Sequence, residues 1–70
     1  MSAGRAAALD RRMSGYAAKF VSDSEAEPTA ANLERVLASC VRPPRAEEFP
    51  AIRRHVAKWR EVRARETASA

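Results

Sequence analysis

Three prolines divide a chain that is otherwise patterned for helix along its length. Pro28 and the Pro43-Pro44 pair each withhold a backbone N–H and crowd the preceding turn, so a regular α-helix does not continue through them. Each of the three segments between these breaks carries apolar residues at the three- and four-residue spacing that collects side chains on one helical face. In the first, Leu9, Met13, Tyr16 and Phe20 share a stripe with Ala6 and Ala17. In the second, Leu33, Val36, Leu37 and Cys40 do so, widened by Ala30 and Val41. In the third, Phe49, Ile52, Val56 and Trp59 do so. No segment alternates as a strand would. The expected architecture is all-α, a small three-helix bundle with helices over about 2–21, 29–41 and 47–66.

Local chemistry sets the expected boundaries. The connector Ser22-Asp23-Ser24-Glu25-Ala26-Glu27 is acidic and lacks apolar periodicity, and Thr29 suits the N-cap of the second helix. Glu47 and Glu48 stand where negative charge favours a helix start, and Pro50 is tolerated in a first turn. Residues 67–70 should fray.

Seventy residues allow one helical domain, 1–70, with a thin core. Chains of this size commonly rely on a disulfide, a metal or a second chain. The single cysteine cannot form an internal disulfide, and one His with one Cys does not complete a zinc site. Association with another protein, as a hetero-complex or a homo-oligomer, is the remaining device. No cofactor is expected.

Catalysis finds little support. Cys40 lies on an apolar stripe, where a thiol behaves as a small hydrophobe. His55 sits at the edge of the third stripe and reads as a structural or surface histidine. Glu47 and Glu48 are adjacent and diverge on a helix, and Gly4 and Gly15 make no phosphate loop. The expectation is a protein that is not an enzyme.

Charge carries more information. The net charge is +4, and residues 49–66 concentrate six cations against two acids. Arg54, Lys58 and Arg65 project opposite the apolar stripe, Arg53 and Arg60 flank it, and Arg63 falls in angle between Ile52 and Val56. An arginine there either stretches its stem across the end of the core or marks a helix that outruns the bundle. The expected contact surface for a partner is Trp59, Val62 and Arg63, with Arg53, Arg54, Lys58 and Arg60 steering the encounter. The chain thus reads as a small basic binding module, a protein–protein adaptor or an accessory subunit of a larger assembly. The alternative is a nucleic-acid-binding accessory or regulatory protein that uses the same helix against the phosphate backbone. Base reading is not part of that alternative, since Asn32 is the only Asn and there is no Gln.

No apolar run approaches the ~18 residues of a membrane span. A lone cysteine fits an intracellular, cytoplasmic setting. A mitochondrial address is the alternative, because residues 1–20 are amphipathic with four cations and one acid.

Overall fold

A computed structural model describes residues 2–69, with side chains described for residues 4–68. Among them the chain forms α1 (Ser2–Asp23), α2 (Ala30–Leu37) and α3 (Phe49–Ser69), with a single 3-10 turn, Ala46–Glu48, leading into α3. The all-α three-helix bundle expected from the stripes is the fold observed.

The helices run up, down and up, which leaves α1 and α3 parallel. Their register is fixed by paired side chains. Asp10 meets His55 and Ser14 meets Trp59, both at a separation of 45 residues. Further along, the backbone carbonyl of Val21 meets Arg63. Advancing one turn on α1 therefore advances one turn on α3.

The core lies where the three stripes converge. Met13, Ala17, Phe20 and Val21 of α1 pack with Leu33 and Leu37 of α2 and with Phe49, Ile52 and Val56 of α3. Tyr16, Val36, Cys40 and Ala51 close its edges. Among the described residues, Leu9, Val41, Trp59 and Val62 are large apolar side chains that remain exposed.

α2 is shorter than its sequence pattern predicts. It begins as expected, with Thr29 Oγ1 accepting the N–H of Asn32 at 3.2 Å, and Asn32 Nδ2 donating to the Glu27 carbonyl at 2.9 Å. It ends at Leu37 rather than near Val41. In a continuing helix the carbonyls of Ser39 and Cys40 would accept from residues 43 and 44. Both positions are proline and have no N–H to give, so a helix reaching Val41 would leave its last carbonyls unpaired. Instead, the Cys40 N–H closes a tighter turn on the Leu37 carbonyl at 3.1 Å. Val41 thereby loses the helical register that would have buried it, and its side chain is fully exposed.

The 3-10 turn gives α3 a defined start. The Arg45 N–H donates to Glu48 Oε1 at 2.8 Å, and Glu48 Oε2 also accepts from Arg12 at 3.0 Å, tying this start to α1. At the other end α3 continues to Ser69 where fraying was expected from Thr67, and Thr67 Oγ1 donates to the Arg63 carbonyl at 3.0 Å. Ala70 lies outside the described residues.

With 22 and 21 residues, α1 and α3 are each more than twice as long as the 8-residue α2. At 1.5 Å per residue they span about 32 Å against about 12 Å. The shape follows from this mismatch. The molecule measures 41 × 28 × 19 Å and its radius of gyration is 12.7 Å, above the roughly 11 Å of an equidimensional chain of this length.

Burial separates two aspartate substitutions. Ile52 is completely buried, and an unpaired carboxylate there costs several kcal/mol, comparable with the roughly 5 kcal/mol that holds a small domain together. Ile52→Asp should abolish cooperative thermal unfolding followed by circular dichroism, whereas Val41→Asp should leave the melting temperature unchanged.

Candidate protein-docking surface

The seam between α1 and α3 has two sides, and α2 covers only one. On the open side, near the first connector, a cleft is lined by Ala18, Val21 and Ser22 of α1 and by Trp59, Val62, Arg63 and Glu66 of α3. A separate cleft nearer the start of α3 is lined by Ala6, Leu9, Asp10 and Met13 of α1 and by Ala51, Arg54, His55 and Lys58 of α3. Trp59 and Val62 expose 40% and 43% of their surface in the first cleft, and Leu9, on the opposite face of α1 from Ala18, exposes 47% in the second.

Trp59 is held firmly despite its exposure. Its Nε1–H donates to the backbone carbonyl of Ser14 at 3.2 Å and to Ser14 Oγ at 3.1 Å. The indole's only polar atom is thus directed into the protein, and the surface it leaves outside is apolar. One turn away, His55 Nε2 and Asp10 Oδ1 lie 2.9 Å apart, with the His55 side chain largely buried. This pair pins α3 to α1 and accounts for the histidine at the edge of the stripe. Cys40 is partly buried against the core, as its place on the α2 stripe suggested.

The predicted contact residues fall into three groups. Trp59 and Val62 lie together on the open seam. Arg53, Arg54 and Lys58 are exposed, and they make no ion pair among the described residues. Arg60 and Arg63 are engaged internally. Arg60 donates to the carbonyls of Ala26 at 2.8 Å and Ser24 at 3.3 Å, while its guanidinium carbon stands 5.7 Å from the centre of the Phe20 ring, within cation–π range. Arg63 donates to the Val21 carbonyl at 3.0 Å.

These two arginines complete the end of α1. The last carbonyls of a helix lack intrahelical partners, and the Ser24 N–H satisfies only that of Phe20. Arg63 supplies a donor to the next one, and Arg60 holds the acidic connector against the core edge. The puzzling angle of Arg63 is resolved by the first of its two readings: its stem crosses the end of the core to a carbonyl. Sequence spacing placed both residues near the core but could not show which backbone groups on α1 needed donors.

Tyr16 was legible only as a core residue, yet its hydroxyl donates to the Arg42 carbonyl and anchors the diproline segment to α1. At the outer end of α1, Asp23 accepts from Lys19 at 2.9 Å. That hydrogen bond, with the Asp23 charge, holds the ammonium above the ordinary lysine range.

Among the described residues no group of three or more His, Cys, Asp or Glu could hold a metal ion. No helix among them is long and apolar enough to cross a membrane. Comparison with protein-family models, curated proteins and solved structures finds no match to the chain.

The arginine contacts make a specific stability prediction. Arg60→Ala and Arg63→Ala should each destabilise the fold by about 1–2 kcal/mol in urea unfolding, the cost of leaving carbonyls without a charged donor. Arg60→Lys should recover only part of the loss, because an ammonium cannot span two carbonyls while lying over Phe20.

Proposed function

We propose that the protein is a non-catalytic docking module of the cytoplasm, an adaptor or accessory subunit that binds another protein through the open side of the α1/α3 seam. The observation that carries this reading is Trp59. A tryptophan whose N–H is satisfied internally and whose apolar face is held outward is pre-organised for contact, since little side-chain freedom is lost on binding. Tryptophan is also among the residues that dominate interface energetics. Val62 extends the apolar surface, and Arg54 and Lys58, exposed on the same flank of α3, supply charge suited to steering, with Arg53 on the far flank.

Backbone-directed nucleic-acid binding is the second reading, supported by the same three unpaired cations. It draws on fewer charges than the six in residues 49–66 suggest, because Arg60 and Arg63 are bonded to backbone carbonyls and Arg65 to Glu61. Three phosphate contacts give a salt dependence of about −2.7 in log K against log salt.

A photoreactive benzoylphenylalanine replacing Val62, irradiated in cells that make the protein, should give a discrete protein adduct. The same group replacing Ala31, on the exposed face of α2, should not. Equal labelling at both positions, or none at 62, would sink the docking reading. Binding to random duplex DNA with a salt slope of about −2.7 or steeper would favour nucleic acid instead.

A further inference from the structure

We infer that the diproline segment is a second binding surface, a one-turn polyproline II ligand for an aromatic- and acid-lined domain of another protein. The inference goes beyond the docking reading, because the clefts beside this segment share no lining residue with the one that holds Trp59.

Its first support is conformation. Proline fixes φ at about −65°, and Arg42 and Pro43, each followed by a proline, are kept out of the helical region. Arg45 continues the extended path at φ −90° and ψ 160°, and residues 43–45 form no helix or turn. The segment is held at both ends. The Arg42 carbonyl accepts from the Tyr16 hydroxyl, and the Arg45 N–H donates to Glu48 Oε1 at 2.8 Å. Little backbone order is left to lose on binding.

The second support is shape. Pro43 lines two clefts, so the segment stands as a ridge between them. Pro44 lines one, with Ala38 and Phe49, while Arg42 and Arg45 line the other, with Val41. A polyproline II helix makes the same division, since three residues complete a turn and put Arg42 and Arg45 on one edge. Val41 and Pro43 are exposed, and neither proline carbonyl has a hydrogen-bond partner among the described residues.

Charge sets the partner's chemistry. On the arginine side, Glu48 is taken by Arg12 at 3.0 Å. Arg42 and Arg45, which make no ion pair among the described residues, are left there with Glu47, and a carboxylate of the partner belongs beside them. The proline side is apolar apart from Glu34. It suits a Trp or Tyr ring, whose N–H or O–H can meet that carboxylate or a proline carbonyl. A second copy of the chain has no such ring to offer. Its single Trp is bonded to Ser14 and its single Tyr to Arg42.

The test is an array of purified WW and SH3 domains, which carry aromatic grooves of this kind, probed with the full chain, each binder then being titrated by calorimetry. At least one domain should bind. The Arg42→Glu/Arg45→Glu double variant should keep the parent melting temperature, both side chains being exposed, and should bind that domain about tenfold more weakly or worse. Pro43→Ala, which removes the exposed ring while Pro44 still interrupts the helix, should weaken binding similarly, and Val62→Asp should leave it unchanged. No bound domain, or affinity indifferent to both ridge variants, would overturn the inference while leaving the docking reading to the photocrosslink at position 62. Binding lost with Val62→Asp but kept with Pro43→Ala would assign the domain to the α1/α3 seam, and random duplex DNA bound through Arg42 and Arg45 with no domain bound would assign the ridge to nucleic acid; either result overturns the proposal.

Discussion

The parallel register of α1 and α3 is the constraint on which the rest of the structure depends. Two short connections and a brief α2 would permit several ways of sliding one long helix past the other. The polar contacts select one. Asp10 with His55 and Ser14 with Trp59 lie one turn apart on both helices, and the Val21 carbonyl with Arg63 fixes the far end. A slip of one residue would rotate every partner away by about 100° and leave donors and acceptors unmatched. Apolar packing alone, with its tolerance for rearrangement, would specify this register less sharply.

Periodicity made the fold and most of the core legible before any coordinates. The three stripes contain every buried residue except Val21, which lies beside the first stripe, because a 3.6-residue repeat leaves little choice about which side chains face inward. What periodicity could not show was where a stripe stops being used. Val41 continues the α2 pattern yet points to solvent, since the diproline ends the helix before the pattern does. Trp59 and Val62 continue the α3 pattern but meet no covering element, because they lie on the side of the α1/α3 seam away from α2. Arg60 and Arg63 illustrate the complementary limit. Their charge was visible, but the carbonyls they bond belong to a helix end and connector more than 30 residues away in sequence.

Of the candidate contact residues, the apolar pair was thus readable from spacing, whereas the division of labour among the four arginines and the lysine was not. That division sharpens the chemistry of the surface. Cations bonded to backbone carbonyls hold their guanidinium groups close to the protein and lend structural support. Those without partners keep long stems free to follow an approaching charge, which favours rapid encounter more than tight grip.

Incomplete coverage and binding capacity have the same physical origin here. With only three helices, α2 can pack on one side of the α1/α3 seam, and the other side keeps Trp59 and Val62 with no element over them. The two ring side chains that pair α3 with α1 are nonetheless bonded: the indole N–H to Ser14 and the imidazole to Asp10. A surface left open by accident would be expected to carry mobile side chains and unmet polar atoms. One whose indole is positioned and internally bonded loses little order, and leaves no ring N–H unpaired, when a partner excludes water from it.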